Sequence, residues 1–161
     1  MSGGFPSIAL LGISNPSSGG GGGSTTALYL ECDLTFAENA NAGDIVYVDA
    51  SGGANAGKAK KSIASSYSTA LAIGIVKANT SSGGTGRVYL GGLVPVNFDS
   101  APPASDNGKP VYVSTSASGK GNTTVPSTSG QAIKQIGILI NANGVLTSCN
   151  VVLVSFPAIS L

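Results

Sequence analysis

The sequence predicts an all-β protein: a small closed barrel or sandwich built from a duplicated three-strand unit, with an extended N-terminal arm. Three observations predict this class. Apolar and polar residues alternate with period two, short apolar runs are separated by turn-forming residues, and an internal repeat keeps a nearly constant offset. The 161 residues are 42% hydrophobic, which is too apolar for a wholly disordered chain, and their number suits one domain.

Residues 27–36 show the clearest strand pattern, because every second side chain is apolar. Six further strands are predicted at residues 44–49, 71–77, 87–94, 110–114, 133–141 and 149–156. Stretches rich in glycine, serine and asparagine separate them, and Asn143-Gly144 indicates a tight hairpin. Residues 58–72 are the one helix candidate, although their serine and β-branched residues disfavour a helix.

The internal repeat rests on three pairs of segments. Residues 43–48 (GDIVYV) correspond to 108–113 (GKPVYV), 73–76 (IGIV) to 136–139 (IGIL), and 88–90 (VYL) to 151–153 (VVL), at offsets of 65, 63 and 63. The repeat predicts a three-strand unit used twice with pseudo-two-fold symmetry, and closure of the sheet removes its exposed edges. Gly74 and Gly137 occupy equivalent strand positions, where we expect a bend at a barrel corner.

The apolar strand positions are expected to form the core. They are Leu28, Leu30, Leu34, Phe36, Val46, Val48, Ile73, Ile75, Val88, Leu90, Val111, Val113, Ile136, Ile138, Val151 and Leu153.

The composition of residues 1–26 predicts a flexible, glycine-rich arm. A β-barrel domain is predicted to follow it at residues 27–161. Residues 1–18 show no period, and residues 19–23 are five consecutive glycines. The arm contains five large apolar residues that no local strand or helix can bury, and these are the candidate partner-binding residues: Phe5, Ile8, Leu10, Leu11 and Ile13. We expect the arm to become ordered only against a partner; the alternative is that it adds an edge strand to its own barrel.

The composition excludes several kinds of chemistry. The chain has no histidine, which removes Ser-His-Asp and Cys-His catalysis and any histidine-bearing metal site. The net charge of +1 gives no basic surface for nucleic acid. Glu31 and Asp33 lie on one strand face and could serve a glycosidase, but a solvated strand face is the favoured interpretation. We therefore expect no enzyme, no catalytic residue, no cofactor and no metal site.

Cys32 falls on the apolar side of its strand and is expected to be a buried, inert thiol. A disulfide between Cys32 and Cys149 is possible if the first and last strands are neighbours. The sequence alone does not decide whether the two cysteines pair. The apolar run at residues 7–13 is too short for a signal peptide or a membrane span. We accordingly expect synthesis in a cytoplasm, with no membrane partner.

Several of these segments resemble virion proteins of tailed bacteriophages. The resemblance is carried by residues 43–49 (GDIVYVD), 72–76 (AIGIV) and 86–94 (GRVYLGGLV), and in the second half by 108–115 (GKPVYVST) and 136–139 (IGIL). These are similar to modules of small β-barrel capsid decoration (cement) proteins and of related head-fibre or tail proteins. The resemblance implies a non-enzymatic virion component, often a homotrimer, that is made in the host bacterial cytoplasm and seated on the capsid surface.

Two functions follow from the resemblance. The leading expectation is a decoration protein that stabilises a capsid by bridging neighbouring subunits of the major capsid protein. The alternative is a receptor- or glycan-binding module of a phage fibre or baseplate, although the chain lacks tryptophan and only Tyr29 and Tyr89 are expected to face outward.

Overall fold

The computed structural model describes residues 29–154 and 157–161, and the fold of these residues is all-β, as predicted. Eleven strands are present in this part of the chain. They are β1 (Leu30–Thr35), β2 (Ile45–Val48), β3 (Ala59–Lys61), β4 (Gly74–Val76), β5 (Thr85–Asn97), β6 (Pro110–Val113), β7 (Gly121–Asn122), β8 (Ala132–Ile133), β9 (Gln135–Asn141), β10 (Ser148–Leu153) and β11 (Ile159–Ser160). All seven predicted strands are found, with shifted ends.

Nine of the strands form one curled antiparallel sheet, which has the shape of a half-barrel. Its order is β3-β2-β4-β5-β10-β9-β6-β7, and β1 pairs with β5 as well. The long strand β5 therefore pairs with β1 along its first half and with β10 along its second half. Strands β8 and β11 form a separate two-stranded sheet.

The strand register confirms the internal repeat. In the first half of the chain, Val46 of β2 pairs with Gly74 of β4. In the second half, Val111 of β6 pairs with Gly137 of β9, at the offsets that the sequence predicts. Strands β4 and β9 then pair in the same way with β5 and β10.

The repeating unit is longer than the three strands predicted. Phe36, just after β1, makes a parallel bridge with Ala59 of β3, and Phe98, just after β5, makes the same bridge with Gly121 of β7. Strand β1 is thus equivalent to the second half of β5, because each of them leads into one of these two phenylalanines. We call residues 30–90 the first repeat and residues 92–153 the second repeat, so β5 contributes to both.

The core consists of two clusters of buried side chains. The smaller cluster lies within the first repeat and contains Phe36, Ala40, Val46, Ala59, Val76 and Val88. The larger cluster joins the inner face of the second repeat to Ile45 and Ile75 of the first. This shared cluster makes the two repeats one packed body.

Most of the predicted core residues are buried or half-buried. Eight are buried: Phe36, Val46, Ile75, Val88, Val111, Val113, Ile136 and Val151. Five more are half-buried: Leu34, Val48, Leu90, Ile138 and Leu153. The prediction is wrong for Leu30, which is 65% exposed, and for Ile73. Leu30 is the first residue of β1, and its pairing with β5 is irregular because Leu90 is skipped between Gly91 and Tyr89. Ile73 precedes β4 and lines a shallow cleft. Leu28 lies outside the described residues.

The helix candidate at residues 58–72 is not a helix. This segment contains β3 followed by turns, because Ala59 and the two lysines after it pair with β2 instead of forming a helix. In the described ranges the one helical segment is a short 3₁₀ turn, Ala104–Asp106.

Gly74 and Gly137 are explained by the close approach of the neighbouring backbone. A Cβ atom at Gly74 would overlap the carbonyl oxygen of Tyr89, and one at Gly137 would overlap the carbonyl oxygen of Val152. Neither glycine has a positive φ. The two positions therefore require glycine for space, a reason different from the predicted bend.

Candidate functional site

The five candidate partner-binding residues of the arm, Phe5, Ile8, Leu10, Leu11 and Ile13, lie outside the described residues. The described surface is that of the sheet itself. Because of the duplication, each outward position of one repeat has a counterpart in the other.

The outer surface of the first repeat carries a network of ion pairs. The ammonium group of Lys77 lies 2.8 Å from a carboxylate oxygen of Glu31. The guanidinium of Arg87 bridges two carboxylates, at 3.0 Å from Asp33 and 3.6 Å from Glu31. We call these four residues the charged face. The ring of Tyr29 packs on Tyr89 beside them, with centroids 4.9 Å apart.

The charges shift each other's pKa in the directions expected of ion pairs. The hydrogen bond from Arg87 lowers the pKa of Asp33, and the hydrogen bond to Glu31 raises the pKa of Lys77. A glycosidase needs one carboxylic acid whose pKa is raised, so that it is protonated and can donate to the leaving group. The shift at Asp33 is in the opposite direction, so Asp33 does not have the raised pKa of such an acid.

Three of these four positions are apolar in the second repeat. When the two repeats are aligned, Leu93 replaces Glu31, Pro95 replaces Asp33 and Ile140 replaces Lys77, whereas the polar Asn150 replaces Arg87.

Three of the outward apolar side chains are substantially exposed. Leu93 is 44% exposed, Ile140 is 48% exposed, and Val152, the counterpart of Tyr89, is 37% exposed. We call these three residues the apolar face. Leu93 and Val152 pair directly across β5 and β10, so their side chains lie on the same side of the sheet. The pairing continues to Ile138 of β9, which is half-buried.

The hairpin between β9 and β10 extends this contrast. Its tip carries Val145 and Leu146, which are 79% and 57% exposed. The counterparts of these two residues in the first repeat are Ser82 and Gly83. The second repeat therefore exposes apolar side chains where the first exposes polar groups.

The clefts of the described surface are small. A cleft of about 30 Å³ between the repeats is lined by equivalent residues, with Ile73 and Leu90 facing Ile136 and Leu153. Two polar clefts of about 180 and 230 Å³ meet near Asn122. All three volumes lie below the roughly 300 Å³ at which sites for small molecules begin.

Buried carboxylates act as structural centres of hydrogen bonding. Asp44, which is 1% exposed, accepts hydrogen bonds from Lys120 at 2.8 Å, from the Asn97 side chain at 3.0 Å and from the Asn41 amide at 2.9 Å. Asp44 belongs to the first repeat, whereas Asn97 and Lys120 belong to the second. The carboxylate thus links the repeats. Among the described residues no three acidic or cysteine side chains are grouped to hold a metal ion.

The buried carboxyl of Asp106 is expected to make a pH-dependent contribution to stability. The hydrogen bond from Lys109, at 2.6 Å, and the hydrogen bond from Thr123, at 2.5 Å, both lower the pKa of this buried carboxyl. Its stabilising effect is therefore present above the unfolded value of about 3.9 and is lost as the pH falls through the lower folded pKa. We expect Asp106→Asn to lower the urea midpoint at pH 7, and we expect its difference from the wild type to shrink as the pH is lowered below about 3.9. A difference that stays constant as the pH is lowered contradicts the expectation.

Both cysteines are free thiols. Cys32 packs against the smaller core cluster and Cys149 lies in the larger one, so the two thiols belong to different clusters. Burial raises the pKa of each thiol, and the carboxylate of Asp33 adds to the shift at Cys32. A raised pKa keeps the thiol protonated and makes it a poor nucleophile.

No protein-family model, curated protein or solved structure matches this chain. No helix in the described ranges has the length and apolar character needed to cross a membrane. The apolar face of the second repeat is therefore the most informative functional feature of the described surface.

Proposed function

We propose that this protein is a structural component of a phage virion: a capsid decoration protein that binds the outer surface of the major capsid lattice and stabilises it. The observation that carries the proposal is the apolar face. Leu93, Ile140 and Val152 are exposed at positions where the first repeat has ion pairs or a covered ring. A repeat that has exchanged charges for apolar groups is suited to contact with protein, and a virion component makes such contacts.

Two further properties support an assembly role. Only 9% of the residues are charged, against about 25% in typical domains, so little electrostatic repulsion opposes close packing among other proteins. The segments that resemble decoration proteins also coincide with the strand pairs that the register makes equivalent, β2 with β6 and β4 with β9. We propose a homotrimer on the basis of this resemblance.

The test is binding to capsids that lack the protein. We expect purified protein to sediment with such capsids, to saturate at a copy number set by the lattice symmetry, and to raise the temperature at which the capsids disrupt. Protein unfolded before mixing serves as the control. Binding that never saturates, or saturated capsids that are no more stable than bare ones, contradicts the proposal.

The second candidate function is a receptor- or glycan-binding module of a phage fibre or baseplate. It is favoured by the exposed ring of Tyr29, since aromatic rings pack on sugar faces. The ring of Tyr89 is less available, because Tyr29 packs on it and the Lys77 ammonium lies 5.4 Å from its centroid. Binding to host cell-surface glycans that Tyr29→Ala abolishes, without binding to capsids, would favour this candidate.

A further inference from the structure

The apolar face can be compared with the equivalent positions of the first repeat in the same molecule. In the first repeat the equivalent positions are satisfied within the chain: Glu31 and Lys77 pair with each other, and Tyr29 packs on Tyr89. In the second repeat the described residues offer no such cover to Leu93, Ile140 and Val152, which remain 37–48% exposed. The outward side chains of the first repeat are thus covered by other described residues. The outward apolar side chains of the second repeat are not covered by described residues.

The chain enters the described structure next to the apolar face. Leu30, at the start of β1, is opposite Gly91 in the middle of β5. Leu93 is only two positions further along β5, which is about 7 Å by the rise of a strand. The cover on Tyr89 is Tyr29 itself, the first residue described. The segment before Tyr29 therefore begins within reach of the uncovered positions.

The composition of this segment complements the apolar face. Residues 1–28 contain no charged side chain, and the first charged residue of the chain is Glu31. Their large apolar residues are concentrated at residues 5–13. The stretch from Ile13 to Tyr29 is rich in glycine and serine. Polymer statistics for a glycine- and serine-rich chain of about 16 residues give an average span of about 20–24 Å. This span exceeds the distance to Leu93, so the sequence is long enough for the apolar residues to reach the face.

We propose that the apolar face is the docking site of the N-terminal segment, residues 1–28, and that Leu10 and Leu11 are among the side chains that cover it. The tether keeps the segment at a high effective concentration near the face, so docking needs only a modest intrinsic affinity. The same contact can form within one chain or between two copies. The inference concerns the isolated protein and does not depend on capsid binding.

Thiol labelling of a cysteine on the face tests this proposal. The probe is Leu93→Cys, and the matched control is Thr35→Cys, an exposed position on the outer side of the first repeat. Each is placed in the full chain and in a chain that lacks residues 1–24, and mass spectrometry assigns the labelled peptide. We expect removal of the segment to speed labelling at residue 93 about tenfold, and to leave residue 35 unchanged.

A second pair of variants keeps the test valid if truncation disturbs the fold. In the full chain, Leu10→Asp with Leu11→Asp is expected to speed labelling at residue 93 as truncation does. Ser17→Asp with Ser18→Asp adds the same charge to the linker and is expected to leave the rate unchanged. Equal labelling at residue 93 in the full and truncated chains, or an equal effect of the two pairs, overturns the proposal.

Concentration separates the remaining arrangements. Protection that is independent of protein concentration indicates docking within one chain, whereas protection that is lost on dilution and requires the segment indicates exchange between copies. Protection that persists without residues 1–24 shows that the body of another copy covers the face, and the proposal is then wrong. Failure to bind capsids would reject the proposed function and leave this inference intact.

Discussion

Replacing Gly137 with alanine is expected to destabilise the protein by about 3 kcal/mol, at the upper end of the range for overpacked cores. The added Cβ would overlap the carbonyl oxygen of Val152 and would lie 2.6 Å from Cγ1 of Val151. Both neighbours belong to β10, which pairs with β9 and β5 and cannot move without disturbing them. At about 2–4 °C per kcal/mol, the melting temperature should fall by about 6–12 °C.

Gly74→Ala is expected to give a similar loss, because its Cβ would meet the equivalent backbone of Tyr89 and would lie 2.6 Å from Val88 Cγ1. The matched control is Gly91→Ala, since a Cβ there meets only Leu30, at 3.7 Å. Calorimetry of the three variants checks the expectation. Melting of Gly74→Ala and Gly137→Ala at the temperature of Gly91→Ala contradicts it.

Replacing Asp44 with alanine is expected to be the most damaging change of a polar residue. It removes three hydrogen bonds and leaves the Lys120 ammonium without its carboxylate in a mostly buried setting. Removal of one partner from a buried ion pair costs about 3–5 kcal/mol. The partial exposure of Lys120 lets its side chain turn towards water, so we expect a value near the lower end.

The unfolding midpoint in urea measures this loss, and Asp33→Ala is the control. Asp33 also pairs with a cation, Arg87, but both side chains are more than half exposed, so only a small change is expected. Because Asp44 joins the two repeats, its removal should also weaken their association. Equal midpoints for Asp44→Ala and Asp33→Ala would show that the junction contributes little.

Most of the strands that the sequence predicted correctly belong to the internal repeat. Matching short motifs at a nearly constant offset located β2, β4, β6, β9 and β10, and the register confirms those matches. The strand that opens each unit was not recognised as part of the repeat, because β1 and the second half of β5 share few residue types. The available signal was the phenylalanine that follows each of them, Phe36 in the first repeat and Phe98 in the second.

The apolar face could also have been found from the sequence. Once β1 is aligned with the second half of β5, Leu93 falls on Glu31, and the alignment of β4 with β9 places Ile140 on Lys77. The pairing of Glu31 with Lys77 could not be predicted in this way, because these residues are distant in sequence and their contact depends on β5 lying between their strands. The exposure of Leu30 was likewise beyond the pattern, because the shift of pairing between Leu30 and Glu31 leaves no mark in the alternation of the sequence.

Strand β5 has a consequence for how the chain is synthesised. Its first half completes the first repeat, and its second half, paired with β10, presents no partner until residues 148–153 have been made. During translation the emerging chain therefore holds an unpaired half-strand beside a finished sheet. That half-strand is a template on which the second repeat can assemble by adding β10, and it is equally open to the same strand of another nascent chain. In chains made close together on one messenger, pairing of β5 with β10 of the same chain thus competes with pairing to β10 of a neighbouring chain.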